Sequence, residues 1–239
     1  MSHDHALVLV FLSQSLDSLI HIALRSFCEM DLDNFAEKQA DRVFQVWVRN
    51  LLGNSPEEPA GKIASQHVPG TPVTAKLPSN GAFNVCYRVT FENKDRVVVR
   101  FTALGRVIAC NEKVLDETAL MEYVAQHTAI PIPKIFGYGK CVVGPYIVMS
   151  FVEGDSLSGY LQDASQETET LSPRIPLPIL RRAYFAMAEI LLEQSKPEFT
   201  YIGAIRKDDQ GGWAVSKRPF TMNLNRLAQF SNIPLDIFE

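Results

Sequence analysis

Val85, Tyr87, Val89 and Phe91 alternate with Cys86, Arg88 and Thr90. That period of two commits the stretch to a strand with one buried face. Glu92-Asn93-Lys94-Asp95 has turn composition, and Val97 to Phe101 is a second run of β-formers interrupted by one cation, Arg100. The periodicity then changes to that of a helix over Glu112 to His127, with Val114, Met121 and Val124 on one face and Glu117 among them. A carboxylate on an apolar stripe needs a cation, because a lone buried one protonates instead of staying charged. Arg100 is the nearest candidate. An ordinary strand–helix ion pair at an exposed edge fits these residues equally well.

Further strands are predicted at Val73 to Leu77, Lys134 to Tyr138 and Tyr146 to Phe151, the last two joined by Gly139 to Pro145. Pro131 and Pro133 force an extended chain after the helix. The expectation is an α+β fold: a five-stranded antiparallel sheet with one long helix inserted after the third strand. Before it, Ala40, Val43, Phe44, Trp47, Val48, Leu51 and Leu52 mark one face of a helix from about Asn34 to Leu52. Asp33 can cap that helix and Gly53 can take the left-handed position at its end. Ser55-Pro56-Glu57-Glu58 reads as a capping box opening a second helix, with Ala60, Ile63 and Ala64 inward. Both helices read as core packing, and Trp47 as a packing anchor.

After Glu153-Gly154 the stretch Asp155 to Ser172 is polar, and Gln162 to Thr170 reads as a mobile loop. Leu180, Tyr184, Met187, Ile190 and Leu191 give another amphipathic helix. Tyr201 to Ile205 and Trp213 to Val215 read as a hairpin around Asp208-Asp209-Gln210-Gly211-Gly212, followed by a loop at Arg218-Pro219-Phe220 and a short helix over Asn223 to Phe230. Asp208 and Asp209 read as solvated turn residues.

The formal net charge of the 239 residues is −4, which gives no electrostatic case for non-specific nucleic-acid binding. Cys28, Cys86, Cys110 and Cys141 are scattered, with no C-x-x-C pair. That fits a reducing compartment, read here as the cytoplasm, and neither a disulfide scaffold nor a zinc site. His3 and His5 read as surface residues. Ala6 to Leu12 is apolar but too short to span a bilayer, and no basic stretch precedes it as in a secretory signal. Met1 to Met30 therefore reads as a segment of low order, a helix packing on the body or a mis-assigned first exon, in preference to a weak signal or membrane anchor. No membrane partner is expected.

Gly81-Ala82-Phe83-Asn84-Val85-Cys86-Tyr87-Arg88-Val89, the Val98-Val99-Arg100 of the next strand, the helix with Glu112-Lys113-Val114 and Glu117, and Ile130-Pro131-Ile132-Pro133 resemble the aminoglycoside phosphotransferase/choline kinase-like family, of protein kinase-like fold. Ser150-Phe151-Val152-Glu153-Gly154 looks like that family's hinge between lobes. The resemblance runs from about Asp33 onward. It implies a poorly defined segment at 1–32, a helical extension at 33–69, a kinase-like small lobe and hinge at 70–154, and part of a helical large lobe at 155–239.

The resemblance also implies ATP and Mg²⁺ as cofactors and phosphoryl transfer to the hydroxyl of an unknown small molecule. Gly81 would let the backbone approach an anion, with the N–H groups of Ala82 and Phe83 toward the phosphates. Arg100 would contact the phosphates, with Glu117 holding it. Arginine replaces the protein kinase lysine here and offers a planar fork for a bidentate pair. Met149, Ser150 and Val152 would present backbone groups to adenine. The family's His-x-Asp catalytic loop, its following Asn and its metal-binding Asp have no counterpart, since the last histidine is His127. The expectation is thus an ATP-dependent small-molecule kinase domain that stops short of its catalytic loop and is inactive alone, with no catalytic or metal-binding residue assigned. A non-catalytic, pseudokinase-like nucleotide-binding or regulatory module is the second reading, and a plain α+β structural domain the third.

Overall fold

The computed structural model describes residues 31–53, 57–162, 170–231 and 233–238. The readings made for Met1 to Met30, for Ser55 and Pro56 of the capping box, and for 163–169 of the mobile loop lie outside them. The fold is α+β. Helices α1 (Asp31–Leu52) and α2 (Glu57–His67) precede strands β1 (Pro72–Asn80), β2 (Asn84–Phe91) and β3 (Arg96–Thr102). Helix α3 (Cys110–His127) follows, then β4 (Ile135–Cys141) and β5 (Gly144–Ser150). The chain continues through α4 (Leu157–Leu161), α5 (Leu177–Gln194), the hairpin β6 (Ala204–Lys207) and β7 (Trp213–Lys217), and α6 (Met222–Ser231).

The first five strands form one sheet of order β1-β2-β3-β5-β4, antiparallel throughout. Alternation decides what each face does. Val85, Tyr87, Val89 and Phe91 of β2, with Val97, Val99 and Phe101 of β3 and Val148 of β5, are buried against Ala60, Ile63 and Ala64 of α2 and Trp47 and Leu51 of α1. Trp47 is the expected anchor, and its Nε1–H donates to Val143 O at 2.6 Å. On the opposite face, Val114 of α3 clusters with Ile147 and Met149 of β5, with Val98, Met121 and Ile135 packed around them. Val124 carries the helix stripe onto Ile130 and Ile190, which ties α5 to the end of α3.

Gly105 is required where it stands. Its φ is +85°, and a Cβ there would lie 2.6 Å from both Ala40 O and Phe44 N of α1. Gly53 departs from expectation. Its φ is not positive, and its N–H bonds Arg49 O at 2.7 Å, continuing the helical pattern. In α5, Ala183 and Ile190 are buried, whereas Tyr184 and Leu191 are exposed. That helix is apolar on more than one side, so periodicity alone does not select its inward face. No helix among the described residues is long and apolar enough to cross a membrane.

Candidate functional site

The site lies where α3 crosses the second face of the sheet. Arg100 points there because the buried residues Val99 and Phe101 on either side of it turn to the other face. Glu117 lies one turn beyond Val114, the residue that seats α3 on β5. One Glu117 oxygen accepts a hydrogen bond from an Arg100 Nη, and the other accepts one from Lys113 Nζ, one turn earlier on the same helix. The side chains are 16% exposed at Arg100, 14% at Lys113 and 31% at Glu117. Lys113 also lies 3.5 Å from Asn84 Oδ1, at the start of β2. One carboxylate thus holds two cations beside the turn that joins β1 to β2.

The electrostatics follow from this geometry. Burial pushes the Glu117 carboxyl up, but the charges and hydrogen bonds of Arg100 and Lys113 outweigh it and hold it below the ordinary carboxylate range. Cys86 pairs with Arg100 in the β2–β3 ladder, and burial pushes its thiol up. The cluster therefore carries a net positive charge: two cations against one ionised carboxylate.

The Gly81 N–H donates to Asn84 O at 3.0 Å and closes the turn, while Phe83 O accepts from Ala103 N–H at 2.9 Å. Both bonds fix the loop containing Gly81, Ala82 and Phe83 next to the end of β3. The φ of Gly81 is not positive, and an added Cβ would meet only Asn84 O at 3.5 Å, an ordinary contact. The turn itself does not demand glycine, so any need for it comes from what approaches from outside.

Toward the C-terminal end of β5, Met149 is buried under α3. The Ser150 N–H donates to Lys134 O at 2.8 Å, and the Phe151 N–H to Arg96 O at 3.2 Å. Val152 is the first residue past these bonds. Arg88 and Arg96 each lie 5.4 Å from the Phe151 ring, and Arg96 makes an ion pair with Glu153. Gly154, at φ +142°, then turns the chain.

Among the described residues, no three His, Cys, Asp or Glu side chains converge as metal ligands do. Asp208 closes the β6–β7 turn, its Oδ1 accepting from the N–H groups of Gln210 at 2.9 Å and Gly212 at 2.7 Å. Sequence reasoning had missed Lys113. The signal was present, since a lysine four residues before a glutamate on the apolar stripe lies on the same helix face.

No family model matches the chain. It is similar to proteins of two yeasts, each named altered inheritance of mitochondria protein 9, mitochondrial. The protein of Meyerozyma guilliermondii is 22% identical over 180 residues, covering 66% of this chain and 30% of that protein. The protein of Clavispora lusitaniae is 25% identical over 129 residues, covering 52% of this chain and 19% of that protein. The chain thus spans less than a third of the length of these relatives. Their names correct the cytoplasmic reading, because both carry a mitochondrial designation. The absence of disulfide spacing had shown only a reducing environment, and that is not unique to the cytoplasm.

Proposed function

We propose that this chain carries the nucleotide-anchoring half of an aminoglycoside phosphotransferase-like small-molecule kinase site, located in mitochondria. The observation that carries the reading is the Glu117 carboxylate shared by Arg100 and Lys113 beside the Gly81 turn. A nucleotide phosphate fits that donor set. The Arg100 guanidinium has five N–H donors, more than the one given to Glu117, and its fork matches phosphate oxygens, while Lys113 adds positive charge beside it. Glu117 then fixes the direction of both cations, so that little reorganisation accompanies binding. Val152 and the residues after it supply the backbone edge for the base. The mitochondrial placement rests on the relatives' names alone.

The described residues offer no converging acids for Mg²⁺, so no step is derived through the metal. When bound, ATP supplies the phosphoryl group. The chain's own residues hold and orient its phosphates. Positioning and charge stabilisation account for nearly all catalysis in this chemistry. These 239 residues contain no His-x-Asp motif, and they are expected not to turn over by themselves. A nucleotide-binding module without catalysis is the second reading, favoured by the lack of a His-x-Asp motif within these residues.

The test is hydrogen exchange of the chain with and without ATP. ATP should slow exchange over residues 81–86 and 110–117, and Arg100→Ala should abolish the effect. Unchanged exchange in the wild-type chain contradicts the proposal.

A further inference from the structure

The hairpin β6–β7 lies along the side of α3 turned away from Glu117. Glu112, Leu115, Asp116, Ala119, Glu122, Tyr123 and Gln126 are linked by three- and four-residue spacings, a continuous helix face. Opposite them, Arg218 makes a forked pair with Glu112 at 2.8 and 3.2 Å. Lys217 reaches Glu112 at 3.1 Å and Asp116 at 3.4 Å. Arg206 pairs with Asp116 and also donates to Leu115 O at 2.9 Å. Lys207 reaches Glu122 at 3.0 Å. At the far end, Trp213 Nε1–H donates to Gln126 Oε1 at 3.1 Å, and its ring meets Tyr123 edge-on at 5.5 Å.

A second grip holds the loop that leads into α3. Asn225 of α6 is buried. Its Oδ1 accepts from Ile108 N–H at 2.9 Å, and its Nδ2 donates to Arg106 O at 3.0 Å. Gln229 Nε2 donates to Gly105 O at 2.8 Å. Residues 204–231 therefore hold α3 by its outer face and by its entry loop. The apolar contacts of α3 with the sheet, centred on Val114, hold only its inner face.

We propose that residues 204–231 form a built-in brace that sets the seat of α3, with Arg218 and Asn225 as positioning residues for Glu117. Rigid packing makes the coupling direct, because α3 moves as one body and Glu117 lies five residues from the Glu112 anchor. Loosening the brace lets α3 swing from the sheet, which parts Glu117 from Arg100 and uncovers Cys86. The effect on nucleotide rests on the function proposed above, whereas the seat of α3 does not.

The experiment uses the full chain carrying Arg218→Glu, Glu112→Arg, or both. Two readouts are taken: the alkylation rate of Cys86, followed by peptide mass spectrometry, and the affinity for a fluorescent ATP analogue. Each single reversal should speed Cys86 alkylation and weaken the analogue by about fivefold or more. The double reversal re-forms the fork but leaves Lys217 facing an arginine, so it should recover part of both relative to the single variants. Cys86 rates unchanged in folded single variants, or a double variant no better than the singles, overturn the brace. Should a reversal fail to fold, Asn225→Ala, which loosens only the entry loop, decides on the same Cys86 readout. A wild-type chain that does not bind the analogue defeats the proposed function, and the Cys86 rates still decide the brace.

Discussion

Cys86 stands directly opposite Arg100 in the β2–β3 ladder, on the sheet face that α3 covers. Burial raises its thiol above the ordinary value, against the opposing pull of Arg100 and Lys113. Cys86 should therefore alkylate more slowly than free cysteine at pH 8, since only the thiolate reacts. Glu117→Ala removes a nearby negative charge that also holds the thiol up, and should speed the reaction. Peptide mass spectrometry of both proteins checks this, and equal rates would count against the covered position.

Glu117→Ala should also destabilise the fold. The substitution leaves Arg100 and Lys113 without their shared acceptor in a half-buried site. Breaking a fully buried pair costs about 3–5 kcal/mol. Glu117 is 31% exposed, so water relieves part of that, and a loss of about 1–3 kcal/mol is expected. Urea unfolding measures it. A midpoint identical to wild type would mean that the pair only decorates the surface.

Acid should weaken the same contacts. In Glu117 burial acts upward and is outweighed by Arg100 and Lys113. In Glu112 burial acts upward and is outweighed by Lys217 and Arg218. Both carboxyls therefore titrate below their ordinary range in the folded chain, and the unfolded chain binds more protons in between. The stability they contribute is full above the unfolded value and is lost as pH falls through the folded one. The melting temperature should hold down to about pH 5 and fall below it. In Glu117→Gln the acid-side fall should be smaller. An equal fall in that variant would assign the acid sensitivity elsewhere.

Gly105→Ala should be costly although the residue lies outside the Arg100–Glu117–Lys113 cluster. The residue sits at φ +85°, and its new methyl would meet the α1 backbone at 2.6 Å. A strained backbone of this kind costs on the order of 1–3 kcal/mol before the clash is counted. Thermal melting measures the loss, and a wild-type midpoint would show that α1 moves aside freely.

Much of this fold was legible before the structure. The strict alternation from Val85 to Phe91 set the sheet's two faces. Glu117 announced itself because an acid among Val114, Met121 and Val124 has to find a cation. The brace was not legible. Arg218 and Glu112 are 106 residues apart, and Arg206 and Asp116 are 90 apart. Charges on exposed-looking positions carry no periodic signal of their partners. The inward face of α5 was obscured for a different reason, since Leu180, Tyr184 and Leu191 compete with Ala183 and Ile190 as apolar positions on one helix.

The central claim is that Arg100, held by Glu117, anchors a nucleotide phosphate. An equilibrium titration of the 239-residue chain with ATP, repeated on Arg100→Ala, tests it most directly. Saturable binding by the wild-type chain is expected, with its loss in an Arg100→Ala variant that still unfolds cooperatively. No saturable binding by the wild-type chain, or equal binding by the two proteins, would contradict it.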